Sequence, residues 1–282
     1  MDAPVYHRFA AAAIALAACR SGNIPSSTTP VASAADLRVT QVRFVPGETI
    51  TWSVTFAGVL AARARLAVGE GQGHDGRKEI VVRAEAGAAG LGTLVGESQE
   101  VLSSWIDPQT GVPIQTEHYG INRERTQRTL VTRAAGKAEL LITRARTGEP
   151  PAPPVKRTHL LPPVPVYDNL AALAALRGWD ARPGGRATLW AFSGTQLWRT
   201  VVEVEKEEEL DTDVGRLPAR KLVATSVRMT TNLREDTSRP ARKWAIWIST
   251  DERRIPLRID AHLDFGDVVV RASSYATEQG ED

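Results

Sequence analysis

Thr49-Ile50-Thr51-Trp52-Ser53-Val54-Thr55-Phe56 alternates without a break. Ile50, Trp52, Val54 and Phe56 fall on one side and Thr49, Thr51, Ser53 and Thr55 on the other, the period of a strand with one buried face. After Gly58 the pattern resumes, with Leu60, Ala62, Ala64, Leu66 and Val68 opposing Arg63 and Arg65. Ile80, Val82 and Ala84 alternate with Glu79, Arg83 and Glu85. Near the C-terminus Ile255, Leu257, Ile259, Ala261, Leu263 and Phe265 alternate with Arg254, Arg258, Asp260, His262 and Asp264. Further runs at 98–106, 112–119, 124–134, 138–145, 186–193, 197–206, 218–230, 242–249 and 267–275 bring the total to about a dozen strands separated by turn residues. The expectation is an all-β domain with one short helix, folded as a strongly curved antiparallel sheet or open β-barrel. The helix is marked by Asp168 as N-cap, by Leu170, Leu173 and Leu176 on one face, and by Gly178 as terminator. The proline-rich segment 149–166 before it reads as a connection within the domain.

Outward from this core, the N-terminus carries a different signal. Residues 9–18 are apolar and end directly at Cys19, the chain's single cysteine. Ten residues are too few to span a bilayer as a helix, which takes about 20, but they suit the apolar region of a secretory signal. Leu16-Ala17-Ala18-Cys19 resembles a bacterial lipobox, in which the cysteine receives acyl chains and becomes the mature N-terminus. Arg20 follows instead of an aspartate, which by resemblance to enteric lipoproteins places the anchor at the periplasmic face of the outer membrane. A plain secretory signal, giving a soluble periplasmic or extracellular protein, is the alternative. The expected organisation is a signal peptide at 1–18, a flexible tether at 19–37, one β-rich domain at 38–276 and a disordered tail at 277–282. The tether is rich in Ser, Thr, Pro and Ala and would hold the domain about 20–25 Å from an anchor.

Composition excludes several functions. With 35 basic and 33 acidic residues in 282, the net charge of +2 gives no case for nucleic acid. One cysteine and five histidines leave no cysteine-cluster metal site, and no cofactor or metal is expected.

Four elements taken together resemble a family: Gly47-Glu48-Thr49-Ile50 leading through Gly58; Ser104-Trp105-Ile106-Asp107-Pro108-Gln109-Thr110-Gly111-Val112-Pro113; Asp168-Asn169-Leu170-Ala171-Ala172-Leu173; and Trp247 through Ile259, closing on Phe265-Gly266 and Tyr275. In that order they are similar to the bacterial envelope family catalogued as domain of unknown function 3108, over residues 45–276. The resemblance implies an exported, β-rich, single-domain protein, and brings no catalytic residues.

Motifs with chemistry are few. Gly71-Gln72-Gly73-His74-Asp75-Gly76 has dinucleotide-loop spacing but precedes a strand and not a helix, so it reads as a hairpin loop. Asp211-Thr212-Asp213-Val214-Gly215 lacks the later glutamate and the helices of a calcium loop and reads as a hairpin tip. His262 with Asp260 and Asp264 is the one candidate acid–base cluster. Arg123, Arg125, Arg128 and Arg133 form a candidate basic patch for anionic lipid or polysaccharide, or a solvated strand face interleaved with Glu117 and Glu124. The tryptophans are more telling. Trp190 and Trp198 flank a hairpin, and Trp244 and Trp247, three apart on one strand, point to opposite sides of a sheet. Trp190, Trp198, Trp244 and Trp247 are the candidate hydrophobic-ligand face. The expected function is a non-enzymatic, lipid-anchored envelope protein, held to the membrane through Cys19. It would bind an acyl chain or other hydrophobic ligand, or scaffold an envelope protein; an envelope enzyme with a polar cleft is the alternative.

Overall fold

A computed structural model describes residues 34–39, 41–73, 76–96, 98–263, 266–278 and 280–281. Cys19, the apolar run before it, His74, Asp264 and Phe265 lie outside the described residues. The strands are β1 (Thr49–Phe56), β2 (Val59–Gln72), β3 (Lys78–Ala88), β4 (Ser98–Ile106), β5 (Pro113–Asn122), β6 (Arg125–Ala134), β7 (Lys137–Arg146) and β8 (Val155–Leu160). They continue as β9 (Val166–Asp168), β10 (Arg186–Ser193), β11 (Gln196–Thr212), β12 (Gly215–Met229), β13 (Arg242–Ser249), β14 (Pro256–Leu263), β15 (Gly266–Thr277) and β16 (Gly280–Glu281). A helical turn, α1 (Gly92–Val95), and one true helix, α2 (Asn169–Gly178), complete the elements.

All strands belong to one sheet in the order β8-β7-β6-β5-β4-β3-β2-β1-β15-β14-β13-β12-β11-β10-β9, with β16 beside β15. Every pairing is antiparallel except β9 with β10. The all-β expectation therefore holds, with two short strands, β8 and β9, inside the proline-rich connection.

The sheet rolls up because each strand buries one face. Ile50, Trp52 and Val54 of β1, Ala62, Ala64 and Leu66 of β2, and Val82, Ala84 and Ala86 of β3 all point into one core with α2. Small residues on β2 and β3 share this core with a helix in which four of ten residues are alanine, and the strands that the helix approaches most closely are β4, β9 and β10. From Leu170 to Arg177 every residue of α2 is buried. A helix apolar all round has no solvent face, and here it fills the hollow of the roll.

The roll continues past closure. β9 lies against β5, and β6–β8 then lap over the outside of β10–β12. On β10, Ala187, Leu189 and Ala191 face the main core, while Phe192 joins a second cluster with Val131, Leu140, Ile142, Leu197 and Met229. His159 of β8 meets Phe192 edge to face, with ring centres 5.1 Å apart. The sheet is thus a spiral, and β6–β8 form an overlapping leaf.

Both chain ends of the domain extend further than composition suggests. Within the expected tether, Asp36 bridges Thr188, the Leu37 N–H donates to the Thr188 carbonyl at 2.7 Å, and Leu37 is buried in the core. Residues 34–37 thereby cover the free edge of β10 beside β9, an edge that otherwise leaves backbone groups unpaired. Within the expected tail, Gly280–Glu281 pairs with β15.

Candidate functional site

The concave face is occupied by α2, and the two ends of that helix explain why it stays there. At its N-terminus Asp168 is the cap: Oδ1 accepts from the N–H of Leu170 at 2.9 Å and of Ala171 at 2.8 Å. Its other oxygen, Oδ2, accepts from the hydroxyls of Ser104 and Thr116, each at 2.6 Å. The carboxylate is buried with both oxygens engaged, which ties the helix to β4 and β5. Serine, threonine and aspartate in contact invite a catalytic reading, but both hydroxyls are spent on the cap.

At the other end Arg177 makes a bidentate pair with Glu48, Nη1 to Oε2 at 3.0 Å and Nη2 to Oε1 at 2.5 Å. Its Nε donates to the Arg254 carbonyl at 2.9 Å and Nη2 to that of Arg253 at 2.8 Å. The guanidinium lies 5.0 Å from the Phe44 ring centre. A cation in the last turn also suits the helix dipole. Beside this pair the Tyr275 phenol is pushed up to about 12, chiefly by burial and then by the charge of Glu48. Gly178 ends the helix for a reason other than a left-handed cap: the Gln41 carbonyl passes 2.4 Å from where a Cβ would sit.

Between α2 and β10–β13 remains a hollow of about 40 Å³, lined by Leu173, Trp198 and Trp244 with Asn169, Ser193 and Ser226. The candidate tryptophans are therefore divided. Trp198 and Trp244 meet there, with the Trp244 indole donating to Ser226 Oγ at 2.9 Å. Trp198 is buried under the Arg242 guanidinium, 4.4 Å from its ring centre. Trp190 faces the opposite way, packed on the second cluster. Trp247 lies on the face of β13 opposite Trp244, buried between Lys221 at 5.3 Å and Arg258 at 5.0 Å, and its indole donates to Glu208 at 2.7 Å. One hydrophobic-ligand face made of Trp190, Trp198, Trp244 and Trp247 does not form, because neighbouring strand positions alternate sides.

The polar candidates do not converge either. Asp260 is held by Arg258 at 2.6 and 2.7 Å, while His262 is exposed beside Asp267. His118 pairs with Glu100 at 2.5 Å, and His159 is buried against Phe192. The arginine patch disperses: Arg128 binds Glu117 at 2.7 Å, and Arg133 turns inward, donating to the Pro113 carbonyl at 3.0 Å. Among the described residues no group of three His, Cys, Asp or Glu gathers as for a metal, and no helix is long and apolar enough to cross a membrane.

The geometry defines an open β-roll closed by its own helix and overlapped by its own edge. The chain belongs to the DUF3108 family, described as protein of unknown function, whose model matches residues 50–273. Among solved structures it is similar to a beta-barrel-like protein of the domain of unknown function DUF1849 from Brucella abortus, at 11% identity and a TM-score of 0.52, covering 84% of this chain and 99% of that one. That likeness is one of fold. It is also similar to a protein from Bacteroides fragilis described as exported with a YmcC-like fold, at 10% identity and a TM-score of 0.34, covering 85% and 100%. A protein from Parabacteroides distasonis described as a lipoprotein follows at 8% identity and a TM-score of 0.34, covering 86% and 100%. No curated protein matches the chain.

Proposed function

We propose that this chain is an exported envelope protein, anchored through lipidated Cys19 at the periplasmic face of the outer membrane. It works by binding on the outside of an open roll filled by its own helix, as a scaffold for another envelope component, and not by chemistry. The observation that carries the reading is the pinning of α2 at both ends by Asp168 and by Glu48–Arg177. A hollow of about 40 Å³ compares with the ~30 Å³ share of one liquid water, far below the ~300 Å³ of a small-ligand pocket. The acyl-carrier form would require α2 to leave. The enzyme form finds no support at Asp260 and His262, which take separate partners. Export and anchoring draw their support from the apolar run 9–18 and the Leu16-Ala17-Ala18-Cys19 sequence.

Two measurements test this. Labelled fatty acid should enter the wild-type protein and not Cys19→Ser; equal labelling contradicts the anchor. Native mass spectrometry of the purified protein should show no non-covalent lipid whose retention depends on the hollow beside α2. Bound lipid that is lost on narrowing the hollow with Ser226→Leu would favour the carrier.

A further inference from the structure

The convex side of the roll carries a groove that the function above leaves unassigned. It has a volume of about 790 Å³ and runs over β1–β5, with Arg63, Arg65 and Arg123 among its lining. Its depth has a simple origin in the register. Arg63 of β2 pairs with Gly87 of β3, Gly87 with Gln99 of β4, and Gln99 with Ile121 of β5. This row points outward, because the neighbouring Ala62 and Ala86 face the core. Gly87 therefore leaves a gap in the middle of the row, with side chains standing on both sides of it.

One wall is held in place by the loop that contains α1. A Cβ at Gly96, whose φ is +128°, would come within 2.5 Å of Arg123 Nε, so only glycine lets Arg123 lie across the loop. The charges in the groove are one-sided. Among the described residues Glu85 is its single lining acid, and it accepts from Arg83 at 2.7 Å. Among the described residues Arg63, Arg65 and Arg123 take no acidic partner, whereas Arg83, Arg128, Arg216 and Arg258 each do. Thr51, Gln99 and Asn122 add neutral hydrogen-bonding groups, and Ala88 and Ala89 an apolar floor.

Three guanidinium groups that take no acidic partner among the described residues, beside a side-chain-free gap, are suited to an anion with several oxygens, which arginine forks bind in pairs of hydrogen bonds. We propose that this groove binds a phosphate ester, either on a phospholipid headgroup or on a free phosphorylated molecule. The inference deepens the reading of an outside-binding protein. A lipid-free mass together with no phosphate binding would remove the groove ligand and leave that reading in place.

The test uses the full chain carrying Cys19→Ser, so that no covalent anchor contributes. It is titrated with glycerol 3-phosphate, and separately floated with vesicles of phosphatidylglycerol or of phosphatidylcholine. The expected result is saturable binding of glycerol 3-phosphate, of phosphatidylglycerol vesicles, or of both, with phosphatidylcholine vesicles unbound. Binding of vesicles alone identifies the ligand as a headgroup at a membrane surface, and binding of glycerol 3-phosphate identifies it as a free ester. Arg63→Gln with Arg65→Gln should weaken whichever is bound by about tenfold or more. Gly87→Leu, which fills the gap without changing charge, should do the same. A Cβ at Gly87 meets nothing closer than 3.8 Å, and its φ is not in the left-handed region, so this variant should fold. Arg186→Gln with Arg216→Gln, equal in charge but on β10 and β12 outside the groove, should leave affinity within about twofold, as expected for screened distant charges. Absence of all binding overturns the proposal. So does equal weakening by the two arginine pairs, or full binding by Gly87→Leu.

Discussion

Inside the roll, both oxygens of Asp168, both oxygens of Glu48 and all three nitrogens of the Arg177 guanidinium are engaged. Under the overlapping leaf the bonding is incomplete. Arg133 leaves Nε and Nη2 without hydrogen-bond partners, His159 leaves Nδ1 and Arg199 leaves Nε. Each buried donor left unmade costs about 1–3 kcal/mol. The leaf therefore gains less from its apolar contacts with Phe192, Leu197 and Met229 than their burial implies. The roll with its helix should be the more stable unit, and β6–β8 should open first. Regions with such unequal local stability exchange with solvent as separate cooperative units.

The largest expected effect comes from cutting the helix loose at its C-terminal end. Arg177→Met strands the Glu48 carboxylate in the core and should cost about 3–5 kcal/mol in chemical denaturation of the whole domain. Adding Glu48→Leu should restore much of that loss, because the uncompensated charge is what destabilises. A cost below about 1 kcal/mol for the single change would mean the pair is not buried as described. At the other end Asp168→Ala removes the cap and leaves the Ser104 and Thr116 hydroxyls facing an apolar space, an expected loss of about 2–4 kcal/mol.

The leaf should respond differently. Leu140→Ala should cost about 2 kcal/mol or more, read as faster amide exchange in β6–β8 with β1–β3 unchanged. If β1–β3 accelerate equally, roll and leaf are one unit and the comparison fails.

The smallest effect is one of pH. His159 is held below its ordinary value near 6.5, first by burial and then by Arg157 and Arg228. A depressed value means that the unfolded chain takes up the proton more readily. Its contribution is therefore complete above about pH 6.5 and is lost as pH falls from there toward the folded value. The opening free energy of β8, taken from exchange rates corrected for their intrinsic pH dependence, should fall on acidification through that range, and His159→Phe should flatten the dependence. A profile unaffected by that change would place the sensitivity elsewhere.

Much of the roll was legible in the sequence, because Ile50, Trp52 and Val54, like Ala62, Ala64 and Leu66, need only a period of two to declare a buried face. The helix was legible from Asp168 onward. Its all-round burial was also written there, since Leu170 through Leu176 contains no polar residue, although one leucine face alone was read from it. The division of the tryptophans follows from the two-residue turn Gly194-Thr195: pairing Ser193 with Gln196 sets Ala191 opposite Trp198 and leaves Trp190 on the other side. The overlap was not legible. Val131, Leu140 and Ile142 alternate in the same way whether they cover a core or the back of another strand. Nor was the Glu48–Arg177 pair, whose partners lie 129 positions apart. The groove arises from register, with Gly87 falling between Arg63 and Gln99, and single strands do not reveal which residues become neighbours across a sheet.

The claim on which the functional reading rests is that α2 stays in the roll. Native-state hydrogen exchange of the helix amides from Leu173 to Arg177 tests it most directly. They should exchange only through global unfolding, with the same free energy as β1–β3, while β7 and β8 open at lower cost. Helix amides that exchange well below the global free energy would mean that α2 leaves its seat, exposing the concave face to a ligand and contradicting the account.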